Sequence, residues 1–118
     1  MNDPFETCPF CAIVRRQAPA TITYEDDLVL AFKDLAPMAP FHELVIPRRH
    51  IPSLSKAGPG DGALLGWMML VGQLRARTAG GDDNGFRVVM NHGHDGHQTV
   101  GHMHLHVLAG RPLGWPPG

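Results

Sequence analysis

Apolar positions first gather between Cys8 and Arg16, with Pro9 just inside the run and Arg15 and Arg16 at its end, a pattern that predicts a brief N-terminal helix. Thr21 to Tyr24, Leu28 to Phe32 and Glu43 to Ile46 are rich in β-branched, aromatic and aliphatic residues. Bounded by Glu-Asp-Asp, Pro37 and Pro47, they predict strands. Gly60-Asp61-Gly62 opens the one long helical signal, about Ala63 to Ala79, with Leu64, Leu65, Met68, Met69, Val71 and Leu74 as its apolar stripe and Gly80-Gly81 as its stop. Phe86 to Asn91 and His102 to Leu108 predict two further strands, joined by a loop dense in Gly and polar side chains. Two helices and five strands in this order imply an α+β fold, an antiparallel sheet with the helices on one side.

The 118 residues suit a single domain spanning 1–118, and 43% hydrophobic content is enough to build its core. With 10 Lys plus Arg against 11 Asp plus Glu, and no block of like charge, the chain lacks the footprint of a nucleic-acid or membrane surface. Its longest apolar run, Ala63 to Val71, is far short of the ~20 residues needed to span a bilayer. Asp3 and Glu6 near the start, with no apolar stretch behind them, do not resemble a secretory signal, so a cytoplasmic location is expected.

Histidine is the unusual component: of eight, six fall between Asn91 and Val107. In His102-Met103-His104-Leu105-His106 imidazole and apolar side chains alternate strictly, the period of a strand. The three rings then leave one face while Met103, Leu105 and Val107 enter the other. At ~3.3 Å per residue the outer rings stand about 13 Å apart, too far for one metal to take all three. A solvated strand face would show such a pattern only by chance. A neutral imidazole is a competent nucleophile and proton carrier near pH 7, so the row suits group transfer through a covalent histidine, with a phosphorus electrophile a good match. His104, flanked by an imidazole on each side, is the expected nucleophile.

The loop ahead of the row carries Asn91, Gln98 and Thr99, neutral donors of the kind that hold phosphoryl oxygens, although Gly-rich polar loops are commonly only turns. Cys8-Pro9-Phe10-Cys11 has the two-residue spacing of a metal-binding pair. A redox pair and two unligated buried thiols remain open as readings of the same residues.

Asn91-His92-Gly93-His94-Asp95-Gly96-His97-Gln98-Thr99-Val100-Gly101, followed by the histidine row, resembles the histidine triad (HIT) family of nucleotide hydrolases and transferases. The likeness continues upstream through Ala31-Phe32-Lys33-Asp34, Ala39-Pro40-Phe41-His42 and Leu44-Val45-Ile46-Pro47-Arg48-Arg49-His50-Ile51, and downstream through Gly114-Trp115-Pro116-Pro117-Gly118. The C-terminal tail and short length look like the Hint branch, whose members are purine nucleoside phosphoramidases acting as homodimers. That resemblance implies a sheet continued across a two-fold axis, and cleavage of a nucleoside 5′-monophosphate, adenosine or guanosine, from an amine. It implies His104 as the nucleotidylated residue and His106 as the catalytic partner on the phosphate. Asp34 would receive the ribose hydroxyls, though an Asp in such a turn is commonly a local cap. Phe10, Ile13, Leu35 and Leu44 would wall the base, and Asn91, His97, Gln98 and Thr99 would bind phosphate oxygens or hold the loop. A structural zinc on Cys8, Cys11, His50 and His102 is implied in the same way.

His97 departs from the branch, which has Gly there, as do Gly101, where Tyr is frequent, and Lys33, where His can occur. The backbone amide of His97 is still expected near phosphate. His42 approaches the phosphate side by resemblance; otherwise it reads, like His92 and His94, as a loop histidine. Trp67 and Trp115 read as packing or dimer-contact residues, and Gly62, Gly66, Met68 and Met69 as core or a close helix contact across a two-fold axis. Dinucleoside polyphosphate hydrolysis, nucleotidyl transfer, or nucleotide binding without turnover are the competing functions.

Overall fold

The computed structural model describes residues 7–118; Asp3 and Glu6 lie outside the described residues. Five strands form close to where the β-branched, aromatic and aliphatic runs predicted them: β1 (Ile22–Glu25), β2 (Val29–Lys33), β3 (Phe41–Pro47), β4 (Phe86–Val89) and β5 (Leu105–Ala109). They make one sheet in the order β1-β2-β3-β5-β4, and every neighbouring pair is antiparallel. Helices α1 (Pro9–Val14) and α2 (Gly62–Arg77) match the two predicted ones, each a little shorter. A single turn, α3 (Gly81–Asn84), forms just where the two glycines were expected to release the chain.

The helices pack on opposite faces, which corrects the expectation of one covered side. Because side chains alternate along β2 and β3, Val29, Ala31 and Val45 face α2 with Met68, Val71, Met103, Leu105 and Val107. Leu30, Phe32, Leu44 and Ile46 face the other way and are covered by Phe10, Cys11 and Ile13 of α1. Both layers exclude water from apolar side chains, worth about 1.5–3 kcal/mol for each fully buried Leu, Ile, Val or Met.

One charged residue sits within the α2 layer. Glu43 is only 2% exposed, yet its carboxylate accepts hydrogen bonds from Arg75 Nε at 2.8 Å, Arg75 Nη2 at 3.1 Å and Thr23 Oγ1 at 2.7 Å. The paired carboxylate holds the Arg75 pKa above its ordinary value. A buried charge is tolerated when it is paired and hydrogen-bonded in this way.

Helix α2 is apolar on two sides. Met68, Val71 and Ala76 are buried against the sheet, so Met68 is core and not a contact residue. Met69, Leu70 and Leu74 are exposed, which removes Met69 and Leu74 from the predicted inner stripe. The 3.6-residue period turns the 67, 70 and 74 positions away from the sheet. Among the described residues no helix is long and apolar enough to cross a membrane.

Candidate active site and metal centre

The histidine row straddles the start of β5, which begins only at Leu105. His102, Met103 and His104 precede it because their partners lie elsewhere: Met103 N–H donates to Ile51 O at 2.7 Å, and the His102 ring bonds Pro47 O at 2.8 Å. The expected facing nevertheless holds. Met103, Leu105 and Val107 enter the α2 layer, while the three imidazoles lie on the α1 side.

His102 is fully buried, and burial pushes its pKa down to about 4, with the neighbouring rings of His50 and His104 adding to the shift. Pro47 O can only accept, so Nε2 carries the proton and Nδ1 presents a lone pair. That Nδ1 lies 3.4 Å from Cys8 Sγ, 3.6 Å from Cys11 Sγ and 3.3 Å from His50 Nδ1; Cys11 Sγ is 3.2 Å from His50 Nδ1. A tetrahedral ion with bonds of ~2.05 Å to nitrogen and ~2.3 Å to sulfur separates its ligand atoms by ~3.3–3.7 Å. The four donors therefore converge at the separation one such ion requires, all within 4.8 Å of one another. The Cys11 N–H donates to Cys8 Sγ at 3.3 Å, which fixes that sulfur at the helix start. Donor softness and spacing both suit zinc.

His104 is oriented by the backbone two residues before it. Its Nδ1 is 2.7 Å from His102 O, and a carbonyl only accepts, so Nδ1 carries the proton and Nε2 keeps its lone pair. No buried side-chain nitrogen among the described residues lacks a partner, so Nε2, which bonds nothing, opens onto a cavity. The edge of Phe10 meets the ring at 5.2 Å and 90°, fixing its plane.

The next link is a chain of imidazoles. Met38 N–H donates to His42 Nδ1 at 3.0 Å, so the His42 proton sits on Nε2, which is 2.9 Å from His106 Nδ1 and 3.3 Å from Asp34 Oδ2. His106 then accepts at Nδ1 and holds its own proton at Nε2. Burial pushes the His106 pKa down to about 4, with His104 and His42 adding and Asp34 opposing. His42 is also lowered by burial, against the pull of Asp34. Both rings are thus neutral near pH 7, as the relay of donors requires.

Two cavities meet here. The first, about 430 Å³, is lined by Phe10, Ile13, Phe32, Leu35, Leu44 and Val100 with His104 at its inner end. The second, about 400 Å³, holds Met38, His42, Val89, Asn91, His97 and Leu108. Asp34, Thr99 and His106 border both.

Most expected residues are therefore together, with exceptions. Gln98 lines neither cavity: its Nε2 donates to Pro52 O and Val100 O, and its Oε1 accepts from Gly93 N–H, so it holds the loop. The His97 amide is spent on His94 O at 3.0 Å and is not free for phosphate; the residue does line the second cavity. Asp34 makes the local cap, Oδ1 accepting from Ala36 N–H, while Oδ2 faces the imidazoles. Leu35, 94% exposed, stands at the mouth of the first cavity. His42 lies in β3 as a relay residue, and its two-residue spacing from Leu44 and Ile46 was the available signal.

Residues 15–113 match the family model described as the HIT domain. The chain belongs to the HIT family. An uncharacterised HIT-like protein of Synechocystis is 53% identical over 109 residues, 92% of this chain and 95% of that one. The crystal structure of a HIT family hydrolase from Legionella pneumophila superposes with a TM-score of 0.92 at 40% identity, covering 95% of this HIT chain and all of that one. A zinc-bound histidine triad protein from Mycobacterium smegmatis gives 0.80 at 39% identity, over 90% and 76% of the two chains. The five-stranded antiparallel sheet is that of HIT hydrolases, and the buried Cys-His cluster is a site able to hold a metal.

Proposed function

We propose that this HIT protein hydrolyses purine nucleoside 5′-phosphoramidates through a nucleotidyl group on His104. One observation carries the reading: the His104 proton is held at Nδ1 by His102 O, which leaves the Nε2 lone pair facing the cavity that His106 also borders. The apolar first cavity suits a base, Asp34 the ribose, and Asn91, Thr99 and His106 the phosphate between the two cavities. Apolar walls give little base discrimination, because rejection requires hydrogen bonds the wrong base leaves unmade.

In the first step His104 Nε2 forms a bond to phosphorus as the phosphorus–nitrogen bond breaks. The electron pair leaves with the amine nitrogen, which takes a proton relayed through His106. Water then attacks phosphorus and returns a proton to His106, the bond to Nε2 breaks with its electron pair left on that nitrogen, and nucleoside monophosphate departs. Zinc on Cys8, Cys11, His50 and His102 would act as a structural cross-link, its four positions filled by protein donors with none left for substrate. The exposed Met69, Leu70 and Leu74 on α2 and the free edge of β4, where Phe86 is partly exposed, support a homodimer that extends the sheet. Sedimentation equilibrium of wild type and a Leu70→Glu variant tests that assembly; a monomeric wild type overturns it.

Rapid quenching with an adenosine phosphoramidate is expected to raise the intact mass by one nucleotidyl group. In His104→Ala the adduct should vanish and kcat fall at least about 10³-fold. Full turnover by His104→Ala refutes the covalent reading, and nucleotide binding by wild type without turnover favours a binding module.

A further inference from the structure

Among the described residues, Arg16 and His97 are the only non-glycines with positive φ, and His97 stands at +62° inside the loop that borders the site. Left-handed backbone costs a residue with a Cβ roughly 1 kcal/mol or more, and such outliers gather where a side chain has work to do. The loop is built tightly around this position. Gly96 packs so closely that a Cβ there would lie 2.4 Å from His92 O, and the amides of His97 and Gln98 close the turn onto His94 O and Gly93 O. With its amide committed, His97 has its carbonyl and its imidazole left for a ligand, and the residue lines the second cavity and not the first.

The second cavity shares Asp34, Thr99 and His106 with the base pocket but lacks His104, so on the phosphoramidase reading it is the space for the group that leaves phosphorus. Its lining contains no Lys or Arg, and Asp34 is its only carboxylate. Burial keeps His42 and His106 uncharged near neutrality. A polyphosphate leaving group would enter there with several negative charges, no cation to meet them and a carboxylate at the entrance. Met38, Val89 and Leu108 offer apolar contact, while Asn91 and His97 offer hydrogen bonds.

From this arrangement we infer that His97 selects the leaving group: its imidazole hydrogen-bonds an uncharged polar substituent, such as a carboxamide, on the amine released from phosphorus. The inference rests on the phosphoramidase reading above and names the leaving-group class within it. His97 acts on specificity and has no part in bond making.

The test compares kcat/KM for two adenosine phosphoramidates, of glycinamide and of n-propylamine, with a diadenosine polyphosphate as a third arm. Wild type is expected to favour the glycinamide substrate. His97→Gly, the substitution this backbone accommodates best, should shrink that preference about five- to tenfold, the worth of one hydrogen bond. His97→Asn, which tolerates left-handed backbone and keeps a donor and an acceptor, should restore part of it. Taking the preference relative to wild type cancels the intrinsic reactivity of the two amines, and a merely structural role for His97 would move both substrates together. A preference unchanged within about twofold in His97→Gly overturns the inference alone. A diadenosine polyphosphate turned over faster than either phosphoramidate overturns the leaving-group class. Wild type that binds AMP but turns over none of the three overturns the phosphoramidase reading and this inference with it.

Discussion

Two clusters of ligand-type side chains flank His104, and they differ in how their lone pairs are used. On one side Cys8, Cys11, His50 and His102 each bring one metal-ligand atom to a common centre, and a hydrogen bond already anchors the remote nitrogen of His102. On the other, Asp34, His42 and His106 approach as closely, but their atoms alternate donor and acceptor from Met38 N–H through His42 to His106. Ligand atoms converging at tetrahedral spacing suit a cation; an alternating chain satisfies itself with protons. Equal crowding thus gives a site able to hold a metal in one place and a hydrogen-bonded chain in the other.

Removing the ion tests the first half most severely. Chelation, or Cys11→Ser, should lower stability by about 4 kcal/mol relative to protein kept in metal at ~1,000 times its Kd, read as a fall in the denaturant midpoint. Zinc stoichiometry near zero in wild type would contradict the assignment. The second half predicts that His42→Ala lowers kcat about 10²-fold while bound zinc stays unchanged, since the lost proton donor lies outside the metal cluster. If zinc and rate fall together, the two clusters are not separate devices.

Acid sharpens the contrast. The His106 ring titrates at about 4 in the folded chain against an ordinary 6.5, and His42 is shifted the same way, so the unfolded state takes up more protons between these values. Stability contributed by the neutral rings is complete above pH 6.5 and lost as pH falls toward 4. Partial exposure of His106 screens the effect to on the order of 2 kcal/mol, measurable as a midpoint that declines from pH 6.5 to 4. The smallest effect is expected from Gly96→Ala, whose clash with the His92 carbonyl should cost about 1–2 kcal/mol and disturb the relay side without releasing metal.

Much of this was legible in the residue pattern because strands reveal themselves through alternation. His104 and His106 alternate with Leu105, so the two faces of that segment were assigned correctly, whereas Leu44, Val45 and Ile46 are all apolar and carry no such signal. What escaped was decided by partners far along the chain. The start of β5 moves to Leu105 because Ile51 and Pro47 capture the preceding backbone and ring, contacts 52 and 55 residues away that no local rule anticipates. The inner stripe of α2 was misread at Met69 and Leu74 because both sides of that helix are apolar, and periodicity alone does not say which side meets the sheet. Gln98 was assigned to phosphate on chemistry it does possess, yet its amide is consumed by Pro52, Val100 and Gly93.

His102 employs each of its polar handles differently: one ring nitrogen among the cysteine sulfurs, the other on Pro47, and its own carbonyl under the His104 ring. For anyone redesigning this scaffold, swapping the soft-ligand cage for a greasy plug would mean finding a fresh brace for that carbonyl. Changing His104, by contrast, would leave the brace standing as a ready socket for a different reactive side chain.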